Sequence, residues 1–203
     1  MTDERETELS RSKDGRSWRI GRDAEIAWIQ EYTTSGLAIT SALPPVFEAY
    51  ATLELPGSGD HDGTSSLERP DRHDTAVLKV LSEHTAAQPW WLGYLETGNA
   101  DVVFKDVPTV RMYADWRYVL IEAGPEQAGA WRADRRWKGV LPDLMFPADR
   151  SWLLSTLWDD DWTCIGGSRA LVDAFLAHPD LRHRVREVDP SVEDVTPPGH
   201  TAM

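Results

Sequence analysis

The chain alternates between stretches with apolar residues at helical spacing and stretches that are apolar at nearly every position. The first helical stretch starts at Asp23, a residue type that favours helix N-termini, and places Ile26 and Ile29 one turn apart. Asp74 and Ser168 are predicted to cap two later helices in the same way. Pro125, with an acidic residue directly after it, predicts a further short helix.

Strand-like segments dominate the region from Trp90 to Glu122. Four pieces are short, aromatic and β-branched, and turn residues separate them: WWLGYLET, DVVF, TVRMY and RYVLIEA. A second strand-rich region begins at Trp152, where SWLLSTLW predicts a strand, DDD a turn and WTCIGG a return strand. Both faces of SWLLSTLW carry large apolar groups, so we expect a central strand. RVREV predicts a last short strand.

Two segments between the first two helices carry weaker patterns. SGLAITSA (35–42) has a short strand-like core. LPPVFEAYATLEL (43–55) has two prolines before a stripe at helical spacing, which favours a helix. A strand is the competing interpretation of the second segment.

The order of elements predicts an α+β fold, because helices and strands do not alternate as a doubly wound sheet requires. We expect a single, mostly antiparallel sheet of about five or six strands with three to five packed helices. Residues 1–17 are predicted to be disordered, and 18–188 to form one domain with a mobile loop at 56–73. Residues 189–203 are predicted to form a flexible tail.

Charge narrows the choice of partners. The 34 acidic and 21 basic residues give a net charge of −13, which disfavours nucleic acid and suits a basic protein partner. No segment has the apolar pattern of a signal peptide or a membrane span, so we expect a cytoplasmic protein with no membrane partner. The sequence leaves the oligomeric state open.

The chain has ten tryptophans, a residue type enriched at binding hot spots. Two of them flank the DDD turn, which makes this turn a candidate binding site. The predicted partner-binding residues are Trp158, Asp159, Asp160, Asp161 and Trp162. Two alternatives are a solvated turn, which aspartate favours, and a metal site. Three consecutive aspartates point in different directions, unlike the spaced ligands of a calcium loop, so no metal is predicted.

An alternative site is a pocket with carboxylates at strand ends and aromatic walls, formed by Glu96, Asp115, Glu122, Trp90, Trp91 and Trp116. Two carboxylates that meet in a cleft can perform acid–base chemistry. Ion pairs of these acids with neighbouring arginines are the competing interpretation.

The remaining chemistry-bearing residues support catalysis less well. IGGS, before the last helix, is a weak candidate for anion binding, and a tight strand–helix connection is the simpler interpretation. Cys164 is predicted to be buried in a strand. It is the only cysteine, so an intramolecular disulfide is ruled out. All six histidines are expected at the surface, and no cofactor is predicted.

Three segments resemble an uncharacterised bacterial family: WWLGYLETG, ADWRYVLIEAGPEQA and LPDLMFPADRSWLLSTLWDDDWTCIGG. This resemblance spans most of residues 20–188 and implies no activity. LPPVFEAY is similar to the LP-x-x-[FY] pattern of the SMI1/KNR4-like immunity superfamily, where it lies on a helix that opens an α+β domain.

These observations favour a non-catalytic cytoplasmic binding protein. Immunity to a basic toxin, or a related regulatory interaction, is its most concrete form. The alternative is an enzyme or a ligand-binding domain that uses the carboxylate-lined pocket.

Overall fold

The architecture is taken from a computed structural model of the 203-residue chain. The structure describes residues 9–11, 17–56, 68–96, 107–113, 115–130, 141–157 and 160–195. Among the helices in these ranges, none is both long enough and apolar enough to cross a bilayer.

Ten strands and four α-helices form the described part of the chain. The strands are β1 (Leu9–Arg11), β2 (Ser17–Ile20), β3 (Ala49–Glu54), β4 (Trp90–Leu95), β5 (Val110–Met112), β6 (Trp116–Ala123), β7 (Leu144–Pro147), β8 (Leu153–Ser155), β9 (Trp162–Gly167) and β10 (Val185–Glu187). The helices are α1 (Asp23–Tyr32), α2 (Glu68–Glu83), α3 (Pro125–Ala128) and α4 (Arg169–Ala177), and a single 3-10 turn spans Ile39–Ser41.

All strands pair antiparallel in one sheet. Nine follow the order β1-β2-β6-β4-β7-β8-β9-β3-β10, and β5 pairs with β6 beside this path. On β6, Ile121 faces β2 and Tyr118 faces β5, while both residues also pair with β4 on the opposite edge. Strands β2 and β5 therefore occupy the two ends of the same edge of β6.

The sheet is covered on both faces, and each face has its own apolar core. Helices α2, α3 and α4 cover one face, where Leu92, Ile121 and Ile165 point. Helix α1 and the segment 33–47 cover the other, where Trp91, Leu120 and Cys164 point. We call these the α2 face and the α1 face. Because successive side chains of a strand alternate between faces, the central strands must be apolar at nearly every position.

Helix α1 is fixed to the sheet by Arg19 of β2. The Arg19 guanidinium donates to Glu25 on α1 at 3.1 Å and to Glu122 on β6 at 3.0 Å. It also lies over the ring of Trp91, 4.9 Å from the ring centroid. One side chain thus connects two strands with the helix that lines the cleft described below.

Several sequence predictions are confirmed. The α+β class, the single antiparallel sheet and the number of helices agree with the structure. The DDD turn joins β8 and β9, which pair with each other, and β8 lies between two other strands as a central strand should. Ser168 caps α4 by accepting a hydrogen bond from the Leu171 backbone at 3.2 Å.

The predicted number of strands was wrong: nine strands form the main path, not five or six. One additional strand, β3, comes from the segment predicted as a helix, 43–55. Every position from Ala49 to Leu53 is buried, because both faces of β3 are covered. Strands buried on both faces lose the two-residue period, so a helical period can appear by chance. The helix implied by the resemblance of LPPVFEAY is likewise not formed.

Three further boundaries differ from prediction. Leu9–Arg11 form a strand on β2, inside the segment predicted as disordered; 1–8 and 12–16 lie outside the described residues. Segment 35–42 forms bends and a 3-10 turn instead of a strand. Helix α2 begins at Glu68, which places 68–73 of the predicted mobile loop in a helix. The remaining part of that loop, 57–67, lies outside the described residues, as do DVVF and the end of the tail.

Gly166, within the predicted IGGS connection, is required by close packing. A Cβ atom on Gly166 would lie 2.4 Å from Cδ2 of Phe47, and one on Gly167 would lie 2.6 Å from Cδ2 of Leu171. Both glycines belong to β9, where they admit side chains from the covering layers. Their role here is steric, and β9 ends at Gly167 with α4 starting at Arg169, the tight strand–helix connection of the simpler interpretation.

We expect Gly166→Ala to lower the free energy of unfolding by about 1–3 kcal/mol, because the added methyl group overlaps the Phe47 ring. Urea denaturation followed by tryptophan fluorescence measures this change. The double variant Gly166→Ala/Phe47→Leu should lose less stability than the sum of the two single variants. Additive losses would contradict the proposed contact.

Candidate functional site

A cleft of about 580 Å³ opens at the end of α1 on the α1 face. One wall is formed by Gln30 of α1 and the loop 33–36, and the opposite wall by the end of β5 and the start of β6. Leu157, which precedes the DDD turn by two residues, also lines the cleft. The volume falls within the range of ligand sites.

The turn between β5 and β6 has an unusual backbone. Tyr113 has a φ of 53° and Asp115 a φ of 68°, both in the left-handed region. Aspartate tolerates this conformation, whereas a bulky tyrosine rarely adopts it, and the cost is about 1–2 kcal/mol per residue. Such strain persists only where surrounding contacts hold it, and it is often found at binding sites.

The hydroxyl of Tyr113 supplies those contacts. It donates to the backbone carbonyl of Ala42 at 3.0 Å, and it lies 2.6 Å from Oγ of Ser155. Since the carbonyl can only accept, the Ser155 hydroxyl donates to the tyrosine oxygen. Burial raises the pKa of Tyr113, so this hydroxyl stays protonated and keeps its donor role. The β5–β6 turn is thereby connected to the 33–47 segment and to β8.

Asp115 and Trp116 form the far wall of the cleft. The carboxylate of Asp115 accepts a hydrogen bond from the guanidinium of Arg111, and both side chains remain more than half exposed. The Trp116 ring packs edge-on against Tyr113, with ring centroids 6.5 Å apart. Gln30 donates to the backbone carbonyl of Arg111 and so connects the two walls.

The structure divides the predicted carboxylate pocket. Asp115 and Trp116 lie in the cleft, but Glu122 lies at the other end of β6, about 20 Å away at 3.3 Å per residue. Glu96 lies near the end of β6 where Asp115 is found. Its backbone N–H donates to the Arg117 carbonyl on the edge of β6 that faces away from β5. The three carboxylates do not converge on one pocket.

The predicted tryptophan walls also separate. Trp90 points to the α2 face, where it packs edge-on against Trp152 at 4.9 Å, whereas Trp91 points to the α1 face. Both are buried core residues. Glu122 is held in the ion pair with Arg19. The ion-pair interpretation of the strand-end acids therefore holds for Asp115 and Glu122.

The predicted partner-binding residues are partly described, since Trp158 and Asp159 lie outside the described residues. Asp161 is exposed, while Asp160 and Trp162 are half-buried. The turn is closed by a hydrogen bond from the Asp160 backbone to the Leu157 carbonyl at 3.2 Å. Asp161 is thus the acidic group of this turn that the described structure presents to solvent.

Cys164 lies beneath this turn in β9 and is fully buried, as predicted. Burial raises the pKa of the Cys164 thiol, and the nearby negative charge of Asp160 raises it further. The thiol therefore stays protonated at neutral pH, which is the opposite of what a catalytic nucleophile requires.

The prediction that all histidines lie at the surface was wrong for His73. This residue sits on α2 with 6% of its surface exposed, and its Nδ1 lies 3.1 Å from Oδ1 of the equally buried Asp74. The early start of α2 turns both residues inward. His61 and His200 lie outside the described residues.

A further groove of about 440 Å³ lies between α2 and the end of α4. Arg72, Thr75 and Lys79 line it from α2, and His178 and Asp180 line it from the end of α4. Within the described ranges, no group of three or more histidine, cysteine or acidic side chains is placed to hold a metal ion.

We expect Tyr113→Phe to lower the free energy of unfolding by about 2 kcal/mol, because it leaves the buried Ser155 hydroxyl and the Ala42 carbonyl without their partner. Thermal and urea denaturation measure the loss. Tyr32→Phe is the matched control, since Tyr32 is 48% exposed and should change stability little. Equal effects of the two substitutions would show that the Tyr113 hydroxyl does not hold the turn.

Cys164 should not react with a thiol reagent such as DTNB at pH 8 in the folded protein. A raised pKa keeps the thiol protonated at this pH, and the thiolate is the reactive form. The protein unfolded in guanidinium should release one equivalent of chromophore, because an unfolded cysteine has a pKa of about 8.5. Rapid labelling before unfolding would contradict this assignment.

Comparison of the chain with protein-family models, with curated proteins and with solved structures found no match.

Proposed function

We propose that this chain is a non-catalytic protein that binds a basic protein partner. The binding surface consists of the exposed acidic turn at Asp161 and the adjoining cleft of the α1 face. Immunity to a basic toxin, or a related regulatory interaction, is the most concrete form of this function.

The observation that carries the proposal is the position of the turn beside the cleft. Leu157 lines the cleft, and its carbonyl accepts the hydrogen bond from the Asp160 backbone that closes the turn, so a partner that enters the cleft also meets the turn. The cleft contributes an aromatic wall at Trp116, a residue type enriched at binding hot spots. The turn contributes the negative charge that steers a basic protein.

The overall charge supports the same class of partner. With 34 acidic against 21 basic residues, the long-range field favours the approach of a cation-rich surface. This field accelerates association at low ionic strength and weakens as salt screens it. The association rate of a partner that depends on this field should therefore fall as the salt concentration rises.

A second candidate is a small-ligand site in the same cleft, without the partner. The volume of the cleft and its polar wall at 33–36 favour it. An acid–base enzyme is a weaker candidate, because Glu122 is about 20 Å from Asp115 and is engaged by Arg19. The partner-binding proposal accounts for the acidic turn and the cleft together.

The test starts by capturing partners from native lysate on the immobilised chain, with identification by mass spectrometry and purification of the captured protein. For a basic partner, we expect Asp161→Lys to raise the dissociation constant by about 5-fold at low salt, because it reverses an exposed charge in the interface. The effect should shrink at high salt. Biolayer interferometry at two salt concentrations measures both quantities.

Asp173→Lys is the matched control, since Asp173 is exposed on α4, on the opposite side of the sheet. It makes the same charge change away from the proposed surface and should leave the affinity almost unchanged. Equal weakening by both variants would mean that only net charge matters. No effect of Asp161→Lys would remove the turn from the interface.

A further inference from the structure

The C-terminal end of α1 lies beside the cleft. Gln30 lies in the last turn of α1, and the residues that follow α1 line the same wall. A helix C-terminus carries about half of a negative charge, which a basic residue in the last turn often neutralises. Helix α1 has no basic residue there and has the exposed Glu31 instead.

Opposite this helix end, Trp116 and Asp115 stand next to each other on the cleft wall. An aromatic face attracts a planar cation, and a carboxylate can accept two parallel hydrogen bonds from one guanidinium group. Among the described residues, Asp115 accepts a side-chain hydrogen bond through Oδ2 alone. The other carboxylate oxygen, Oδ1, is available to a second donor.

We propose that this cleft receives an arginine side chain of the basic partner, which stacks on Trp116 and pairs with Asp115. This inference rests on the proposed function and assigns the chemistry that the cleft recognises. An acidic ligand is disfavoured, because the described lining of the cleft sets the α1 C-terminus and Asp115 against one cation, Arg111, which is already paired with Asp115. A lysine would fit the charge but offers neither the planar stack nor the paired donors.

The chain's own Arg111 shows that a guanidinium group reaches Asp115 at the mouth of the cleft. This internal pair is weak, because the two side chains are 52% and 72% exposed and water screens their attraction. A partner's arginine that also contacts Trp116 can therefore take the place of Arg111 at little cost. Arg111 then acts as an internal competitor for the site.

The surface around the cleft suits a protein partner that carries this arginine. Tyr32 and Leu37 directly precede and follow the lining loop and are 48% and 73% exposed. Together they give the arginine site an apolar rim that a neighbouring part of the partner can cover.

The direct test uses a defined probe and the isotopically labelled full chain. N-acetyl-arginine methylamide is titrated while the indole N–H resonance of Trp116, assigned with Trp116→Phe, is followed by NMR. The lysine and glutamate methylamides are the comparison probes. We expect the arginine probe to shift this resonance with the lowest dissociation constant of the three. No shift with the arginine probe, or tighter binding of the glutamate probe, overturns the proposal.

Two variants with opposite expected effects sharpen the test. Asp115→Asn should weaken binding of the arginine probe by about 3- to 5-fold, the scale of an exposed ion pair, and asparagine also tolerates the left-handed backbone at this position. Arg111→Met should tighten it by a similar factor, because the internal competitor is removed. Tighter binding in Asp115→Asn together with weaker binding in Arg111→Met would overturn the proposal.

The captured partner separates this inference from the proposed function. Loss of affinity in Asp115→Asn, together with the effect of Asp161→Lys, supports both. A partner that responds to Asp161→Lys but not to Asp115→Asn leaves the proposed function standing and overturns the arginine site. A partner that responds to neither overturns both. Unchanged circular dichroism and thermal stability of each variant exclude misfolding as the cause.

Discussion

The fold depends on one constraint: both faces of the central strands must be excluded from water. On the α2 face, regular helices meet this requirement. On the α1 face, a ten-residue helix is too small to cover the sheet, so the irregular segment 33–47 has to complete the cover. An irregular segment has no hydrogen-bonded ladder of its own, and its polar backbone groups must find partners at the sheet.

Two tyrosine hydroxyls supply those partners. Tyr50 donates to the Pro44 carbonyl at 3.1 Å and accepts from the Phe47 backbone at 3.0 Å, while Tyr113 donates to the Ala42 carbonyl. The segment is therefore attached to β3 and to the β5–β6 turn. The cleft opens at its edge, where the loop 33–36 leaves the sheet uncovered. The candidate site is thus a direct result of the way in which the α1 face is covered.

Hydrophobic periodicity and turn residues were enough to predict the elements that these local signals mark. Helix α1, the capped helix α4, the aromatic strands β4 and β6, and the β8–β9 hairpin all follow from periodicity and turn residues. Prediction failed where burial came from distant parts of the chain. Strand β3 was predicted as a helix, because coverage of both its faces removed the alternation of apolar and polar residues. The early start of α2 was missed, because its first turn, ERPD, is polar.

The cleft was only partly predictable for the same reason. Asp115 and Trp116 were predicted as members of a site, but Glu122 was assigned to the same pocket. Because β6 runs without a break from Trp116 to Ala123, Asp115 and Glu122 lie at opposite ends of one strand. The contacts of Tyr113 with Ala42 and Ser155, and its left-handed backbone, depend on tertiary packing and leave no mark in the local sequence.

The strand order also determines when the sheet can assemble during synthesis. Strand β3 is made early, yet its two neighbours, β9 and β10, are among the last strands to leave the ribosome. Until then, an apolar strand has two unpaired edges, which is a common cause of aggregation in folding intermediates. Pairings this distant along the chain also make folding slow. The nascent chain therefore passes through a long interval in which chaperones have a ready target in AYATLE.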